Sequence, residues 1–325
     1  MKSYYDITGD GGSDVVGQIQ ALGRQIDAAL AGVRRIVAVG SGKGGVGKST
    51  VTMALAHALA RAGRRVTILD ADLNGPSQAR LAGLEGRPWI PGDHGLVPPR
   101  RPDGIGVVSL GSLLAEAAPL EFDTVSSGEQ QTWRATRELA MFSQILAATD
   151  WGELDVLLLD LPPGTERTVQ FAEMLAGASG APPDSPSVAF VLVTVPSAVS
   201  RGVVARSLSA LRDLGAPVLG VVENMAGYYC ADCGAVKPLF PETESGSSDP
   251  WKAECLGRIP FDPELAARCD RGWPQDAARP REGDDPSGAL AVLDSIARRL
   301  VPAPNDSVTV TEPDTRADPV KEVPR

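Results

Sequence analysis

Aromatic residues and cysteines are scarce in this chain: aromatic side chains make up 5% of its 325 residues, and four cysteines are present. Four cysteines are too few for a disulfide framework at this length, so a close pair of them is better explained by metal binding or redox chemistry. No apolar run approaches the roughly 20 residues that a membrane helix needs, and the polar, acidic start MKSYYDITGDGGSD does not have the pattern of a secretory signal. We therefore expect a cytoplasmic protein that does not bind membranes.

A basic excess is also lacking, because 31 lysines and arginines stand against 41 aspartates and glutamates, for a net charge of −10. The phosphates of nucleic acids and of anionic lipids would be repelled by most of such a surface. We therefore expect no nucleic-acid partner. The 43% of hydrophobic residues suffices for one large domain with appendages.

A glycine-rich loop is the most informative feature that the sequence does contain. Residues 37–50 read VAVGSGKGGVGKST, and Gly42 to Ser49 match the pattern GxxxxGK[ST]. In such a loop the backbone N–H groups surround a phosphate, Lys48 reaches the terminal phosphates and the Ser49 hydroxyl holds Mg²⁺. A β-branched strand, Ile36 to Val39, precedes the loop and an amphipathic helix, Ser49 to Ala62, follows it, as a nucleotide site requires. The predicted nucleotide contacts are Gly42, Lys43, Gly44, Gly45, Val46, Gly47, Lys48, Ser49 and Thr50.

Strand and helix patterns alternate along the rest of the chain. The apolar runs that predict strands are Val66 to Asp70, Val107 to Leu110, Val156 to Asp160, Val188 to Val195 and Val218 to Val222. The predicted helices are Thr132 to Thr149, Thr168 to Ala176 and Ala198 to Leu214. Uniformly apolar strands are typical of a parallel sheet that is covered on both faces. The fold class is therefore α/β, a doubly wound and mostly parallel sheet with the nucleotide beyond the carboxyl ends of its strands.

The chain divides into three predicted parts. Residues 1–33 form an extension with one amphipathic helix, Val15 to Ala31, which packs on the core or on a second subunit. Residues 34–300 form the nucleotide-binding domain, in which Gly177 to Ser187 is a surface loop. Residues 301–325 are rich in proline and charge, and we expect a disordered tail there.

Three aspartates follow predicted strands, where this architecture places its chemistry. Asp160 ends VLLLD and is followed by LPPGT, so its carboxylate belongs beside Mg²⁺ and Gly164 near the γ-phosphate. Asp72, in DADLNGPS, can orient or deprotonate the water that attacks the γ-phosphate. Asp70 either takes part in this chemistry or is structural, in which case it bonds the loop backbone or a magnesium-bound water.

Cys230 and Cys233 form a CxxC turn in YYCADCG, which offers two thiolates to one zinc ion or iron–sulfur centre. Cys255 and Cys269 could complete a four-cysteine set, but their spacing fits no zinc ribbon. A C₂ dimer would instead supply four ligands from two copies of the turn. The alternative for Cys255 and Cys269 is that each is a small buried hydrophobic residue.

Together these motifs resemble the Mrp/ApbC family of P-loop ATPases, iron–sulfur cluster carriers of the MinD/ParA superfamily. The resemblance rests on GKGGVGKST, ILDADLNGPS, LDVLLLDLPPGT, VLGVVENM and the following CxxCG, in the family's order between Arg34 and Pro274. It implies a P-loop fold of the deviant Walker A type and a homodimer that hydrolyses ATP.

The resemblance also implies roles for single residues. It implies that Lys43 is the signature lysine that reaches the partner subunit's nucleotide, and that Asn224 lies at the adenine. Cys230 and Cys233 match the ligands of a 4Fe–4S cluster that is bridged between subunits and passed to apo-proteins. On this reading Lys43, Lys48 and Asp72 are catalytic, while Ser49 and Asp160 hold Mg²⁺.

Three segments depart from the family's pattern. WRATREL at Trp133 to Leu139 replaces WRGPM, DLPPGTER replaces DLPPGTGD, and the polar LFPETESGSSDP replaces a glycine-rich loop after CxxCG. In the second segment Glu166 and Arg167 stand near the γ-phosphate, so the hydrolysis rate and its coupling to dimer motion can differ.

Two other functions remain open from the sequence. One is a MinD/ParA-type positioning or partition ATPase, although this chain has neither a basic amphipathic helix at its end nor a basic stripe. The other keeps the ATPase but makes the CxxC a structural zinc site or a redox pair.

Overall fold

Apolar strands form one central sheet in this computed structural model, which describes residues 15–112, 130–177, 186–240, 251–273 and 287–301. The strands are β1 Arg35–Ser41, β2 Val66–Asp70, β3 Ile90–Gly92, β4 Gly95–Val97, β5 Gly106–Val108, β6 Val156–Asp160, β7 Ser187–Thr194, β8 Val218–Cys230, β9 Ala235–Lys237 and β10 Cys255–Phe261. Seven of them are parallel neighbours in the order β10-β8-β7-β1-β6-β2-β5, and β9 pairs antiparallel with β8. The strands β3 and β4 form a separate antiparallel hairpin.

Helices cover both faces of this sheet. They are α1 Val15–Ala29, α2 Lys48–Arg61, α3 Gln78–Ala82, α4 Gln130–Ala148, α5 Thr165–Gly177, α6 Ala198–Asp213, α7 Pro263–Asp270 and α8 Ala289–Leu300. In β1, Val37 and Val39 pack in one core cluster with residues of α2 and α8. Ile36 and Ala38 pack in the other, with residues of α1, α4, α5 and α6. Because both faces are covered, both sets of alternating residues are apolar, as the sequence predicted.

The α/β fold class is confirmed, and most predicted elements lie where the sequence placed them. The bounds of β2 and β6 agree with the prediction, and α4, α5 and α6 coincide with the predicted helices to within a few residues. Two strand predictions are corrected. The strand predicted to end at Val222 continues to Cys230, and the strand predicted to reach Leu110 ends at Val108, because a 3-10 turn occupies Leu110–Ser112.

Several elements were not predicted: α3, α7, α8, the β3–β4 hairpin, β9 and β10. The helix α8 matters most for the core, because Leu293, Ile296 and Leu300 are buried in the cluster that also holds α2. No helix within the described ranges is long and apolar enough to cross a membrane.

The first helix packs on the core, one of the two positions predicted for it. Ile26 and Leu30 are buried in the same cluster as Phe142 of α4. The division into extension, domain and tail stays a prediction, since residues 1–14 and 302–325 lie outside the described part. The same holds for most of the predicted loop at Gly177 to Ser187.

Truncation of Phe142 tests the packing of α4 on the sheet. Its fully buried ring meets Phe171 of α5 edge to face, with 4.8 Å between ring centroids. We expect Phe142→Ala to lower the free energy of unfolding by about 3–5 kcal/mol in urea denaturation, because it leaves a cavity and removes the ring pair. Gln144→Ala, at an exposed position of the same helix, is the control and should change it little. A loss below about 1 kcal/mol for Phe142→Ala would contradict this packing.

Candidate functional site

The glycine-rich loop connects the end of β1 to the start of α2. Gly45 and Gly47 have φ values of 77° and 81°, a left-handed conformation that side chains disfavour. Gly47 is the N-cap of α2 and supplies no side-chain bond to it. The amides of the first helical turn are therefore open to an anion. Gly42 lies against α6, where a Cβ atom would stand 2.4 Å from Val203 Cγ1.

A cavity of about 330 Å³ lies at this loop, beyond the carboxyl ends of the strands. Besides the loop itself, its walls contain Asp72, Ser77, Arg80, Leu81, Pro163, Cys269 and Asp270. Lys43, Lys48, Ser49 and Asp72, which the sequence analysis assigned to the nucleotide site, thus line one cavity, and their roles there stay predictions. Lys43 is exposed, whereas Lys48 is buried with 7% of its surface accessible.

A buried ion pair joins the loop to the neighbouring strand β6. The Lys48 ammonium contacts Asp160 Oδ1, and the Asp160 carboxylate is fully buried. Thr52 Oγ1 also donates to this oxygen at 3.4 Å. Ser49 Oγ lies 3.5 Å from the Lys48 nitrogen. The two residues expected to hold Mg²⁺, Ser49 and Asp160, therefore both lie beside the Lys48 ammonium.

Asp70 stands opposite Asp160, because β2 and β6 pair in register at these two residues. Asp70 Oδ2 accepts hydrogen bonds from the backbone N–H groups of Ser77 and Gln78, both at 2.9 Å, and from Ser109 Oγ at 3.0 Å. Burial, and then the nearby charge of Asp160, raise the pKa of Asp70 to about 7. Its contacts match the structural alternative: Asp70 bonds the backbone of the loop that follows β2.

Asp72 has a different environment two residues later. It is half-buried and lines the cavity, and its Oδ1 accepts from the Gly75 N–H at 3.2 Å. This bond closes the turn that carries Asp72. The turn after β6 approaches the same cavity from the other side, where the Gly164 N–H donates to the Ser41 carbonyl at 2.8 Å.

Gln78 belongs to this site although the sequence analysis did not name it. It is fully buried, and its Nε2 donates to the Ser49 carbonyl at 3.0 Å and to Asp160 Oδ2 at 2.8 Å. Its Oε1 has no hydrogen-bond partner within the described ranges. The only sequence signal was its place directly after DADLNGPS, which marks no role by itself.

Asn224 lies beneath the glycine-rich loop. Its Nδ2 donates to the Val46 carbonyl at 2.9 Å, and the residue is buried. A Cβ atom on Gly47 would stand 2.3 Å from that nitrogen. Asn224 therefore supports the loop, a contact that the sequence did not predict, and its expected role at adenine stays a prediction.

Cys230 and Cys233 lie in a β-hairpin turn at the end of β8. The strand ends at Cys230, β9 begins at Ala235, and the Gly234 N–H closes the turn by donating to the Cys230 carbonyl at 2.9 Å. Cys230 is half-buried and Cys233 is exposed. Hydrogen bonds from Cys233 and from the Asp232 backbone lower the pKa of Cys230, which favours the thiolate.

Cys255 and Cys269 lie in other parts of the fold. Cys255 pairs with Val221, nine residues before Cys230 on β8, which corresponds to roughly 30 Å of strand. It is exposed, so the alternative that it is a small buried hydrophobic residue is wrong for Cys255. Cys269 is buried, as predicted, and burial raises the pKa of its thiol to about 11. In the described part of the chain, no three His, Cys, Asp or Glu side chains are placed to hold one metal ion.

Comparisons with known proteins agree with this arrangement. The iron-sulfur cluster carrier protein of Saccharolobus solfataricus is 36% identical over 259 residues, which cover 79% of this chain and 81% of that protein. The cytosolic Fe-S cluster assembly factor NUBP2 of Bos taurus is 40% identical over 278 residues, or 84% and 94% of the two chains.

Solved structures are similar as well. A nucleotide-binding protein from Archaeoglobus fulgidus in complex with ADP has a TM-score of 0.62 and 33% identity, and the match covers 79% of this chain and 94% of that one. The MinD cell division protein of Aquifex aeolicus, with 23% identity, a TM-score of 0.51 and coverage of 82% and 96%, is similar in fold. The family model described as ParA, NUBPL iron-transfer P-loop NTPase, matches residues 32–300. This chain belongs to the ParA family of NUBPL iron-transfer P-loop NTPases.

Proposed function

We propose that this chain is an ATP-hydrolysing carrier or scaffold that assembles a 4Fe–4S cluster or transfers it to apo-proteins. The observation that carries the proposal is that one strand connects the nucleotide loop to the CxxC turn. In β8, Asn224 bonds the Val46 carbonyl of the loop, and Cys230 follows six residues later, about 20 Å along the strand. Met225, next to Asn224, has a φ of 55°, a strained conformation that is concentrated at switch regions.

The cavity residues fit the hydrolysis of a phosphoanhydride. Lys48 and Lys43 neutralise charge on the transferred phosphoryl group, and Asp72 positions the attacking water. Gly42, Gly44, Gly45, Val46, Gly47 and Thr50 complete the phosphate cradle. Lys43 has the exposure that it needs to act on the nucleotide of a partner subunit.

The side chains at this site are also suited to binding Mg²⁺. When bound, the ion neutralises negative charge on the β- and γ-phosphates. Ser49 and Asp160 would hold it. Asp160 and Asp70 place two buried carboxylates side by side. Gln78 Oε1, a buried acceptor without a donor in the described structure, could accept from water on a cation.

The cluster is the cargo of this chemistry, and Cys230 and Cys233 are its proposed ligands. Two thiols make half of a four-cysteine site, so we propose a C₂ homodimer in which two hairpins meet. The exposed apolar side chains of Tyr228, Val236 and Leu239 lie on or beside the same hairpin and suit an interface. Nucleotide-dependent motion of the dimer would then change the geometry of the four thiolates.

The relatives' names support this reading over its alternatives. Two similar proteins are called an iron-sulfur cluster carrier and a cytosolic Fe-S cluster assembly factor. We extend the cytosolic location, and apo iron–sulfur proteins as clients, from those names to this chain. The likeness to MinD concerns the fold alone, so a positioning ATPase is not favoured, and a structural zinc site is an outcome of the first test below.

Metal analysis tests the cargo. We expect protein purified without oxygen, or reconstituted with iron and sulfide, to hold about four irons and four sulfides per dimer. The variant Cys230→Ala/Cys233→Ala should lose them, because it removes the thiolates. Cys255→Ala, at an exposed cysteine in another part of the sheet, is the matched control and should keep the cluster. Zinc alone, or no metal after reconstitution, would contradict the proposed carrier function.

Lys43→Gln tests catalysis across the dimer. We expect ATP binding by a fluorescent analogue to persist, while phosphate release falls about 100-fold, because one cationic donor to the phosphoryl group is lost. ATP-dependent dimerisation, measured by light scattering, should weaken as well. Lys252→Gln, at another exposed lysine, should behave like the wild type. Undiminished phosphate release from Lys43→Gln would show that Lys43 does not act in hydrolysis.

Asp70→Asn tests the buried carboxylate pair through pH. Because the pKa of Asp70 is raised from 3.8 to about 7, the folded protein keeps a proton that the unfolded chain has lost between about pH 4 and 7. Stability of the nucleotide- and metal-free protein should therefore fall as pH rises through this window, and Asp70→Asn should lose that contribution. Denaturant titrations from pH 4 to 8 measure the difference between the two proteins. Asp93→Asn, at an exposed site, should retain the wild-type slope, and equal slopes in wild type and Asp70→Asn would contradict the assignment.

A further inference from the structure

Two of the segments that depart from the family's sequence pattern contact each other. Arg167, from DLPPGTER, donates through its guanidinium to Glu138 Oε2, from WRATREL, at 2.8 Å. The Glu138 side chain is 10% exposed and that of Arg167 is 24% exposed, so the ion pair is mostly shielded from water. The two departures are therefore one interaction between the helices α4 and α5.

A third residue binds the same carboxylate. Asn74 Nδ2 donates to Glu138 Oε1 at 2.6 Å. Asn74 lies in the turn that Asp72 closes through the Gly75 N–H. The two oxygens of Glu138 therefore accept from different elements: Oε1 from the loop after β2, and Oε2 from the first turn of α5, which directly follows the loop after β6.

Both of these loops reach the nucleotide cavity, whereas Glu138 itself is outside its lining. Asp72 lines the cavity from the first loop and Pro163 from the second. The second loop is also fixed to the end of β1 through the Gly164 N–H and the Ser41 carbonyl. Glu138, which lies behind the cavity, thus binds both the loop after β2 and the segment that follows Asp160.

We propose that Glu138 is a positioning residue for ATP hydrolysis, which sets the place of Asp72 relative to the loop after Asp160 by binding Asn74 and Arg167 at once. This inference rests on the proposed function. Charge-assisted hydrogen bonds are short and directional, so the carboxylate fixes the separation of the two loops. A displacement of one loop by the γ-phosphate is passed to the other through this shared acceptor. A shift of about 1 Å in a reacting group is enough to cost about 100-fold in rate.

Arg167 is held from a second side, which orients its guanidinium. Its Nη1 donates to Gln170 Oε1, one turn later in α5, at 3.4 Å. A purely structural ion pair between α4 and α5 would affect stability and leave turnover unchanged. The experiment must therefore separate turnover from nucleotide affinity and from folding.

A double-mutant cycle makes this separation. The full-length variants Glu138→Gln, Arg167→Gln and their combination are measured for kcat, for ATP affinity and for thermal stability. We expect each single change to lower kcat about tenfold while ATP affinity stays within about twofold, because the cradle is untouched. The combination should be no slower than the slower single variant, because the two residues act as one unit. Arg137→Gln and Glu173→Gln, at exposed positions of α4 and α5, are the matched controls and should have wild-type kcat.

Two more conservative variants allow the test to be completed if one of the variants above does not fold. Arg167→Lys keeps the charge and should recover part of the rate lost in Arg167→Gln. Asn74→Ala leaves the ion pair in place but releases the Asp72 loop, so kcat should again fall at constant ATP affinity.

The outcomes are distinct. Wild-type kcat in Glu138→Gln and Asn74→Ala, with or without a lower melting temperature, would overturn the positioning role and leave the proposed function standing. If the losses of kcat in the two single variants add in the double variant, the positioning role is overturned as well, because Glu138 and Arg167 would then act independently. A wild-type protein that binds ATP and Mg²⁺ without releasing phosphate would overturn the proposed hydrolysis and this inference together.

Discussion

The buried contact between Lys48 and Asp160 is the interaction on which the rest of the site depends. It forms because the strand order places β1 beside β6 and β6 beside β2, so that the glycine-rich loop and two strand-terminal aspartates meet. Two buried carboxylates share one ammonium there, so negative charge is in excess at a place that little water reaches. A buried charge without a full partner is costly. The hydrogen bonds of Thr52 and Gln78 reduce that cost, and the raised pKa of Asp70, caused by burial and by the charge of Asp160, reduces it further by favouring the neutral carboxyl group.

The sequence predicts those parts of the site whose conformation depends on residues close to one another in the chain. The glycine-rich turn between an apolar strand and a helix is one such part, and the apolar run that ends at Asp160 is another. The loop, β2 and β6 could therefore be predicted closely. The long end of β8 could not, because ENMAGYY contains a glycine and polar residues and gains its strand conformation by pairing with β9 and β10. The helix α8 was missed although its apolar residues are buried in the core.

The remaining site residues depend on contacts that distant parts of the chain bring together. Gln78 meets Asp160 across 82 positions, Asn224 meets Val46 across 178, and Asn74 meets Glu138 across 64. None of these pairs has a spacing that a motif records. Tertiary structure also decides the exposure of Cys255. Its sequence segment is partly apolar, which suggests burial, but the residue lies at the start of a strand at the edge of the sheet and is exposed. Sequence patterns thus identified the chemical groups, and the tertiary structure determined which of them act together.

In the proposed carrier, the continuity of β8 from the loop contact at Asn224 to Cys230 would couple the binding of ATP to the binding of a cluster. Linkage is reciprocal: if bound ATP changes the affinity of the hairpins for a cluster by some factor, the cluster changes the affinity for ATP by the same factor. Loaded and empty proteins would then differ in the nucleotide that they retain at one cellular ratio of ATP to ADP. The energy charge of the cell would therefore bias how many copies carry a cluster, and the supply of clusters would bias how much nucleotide these copies hold.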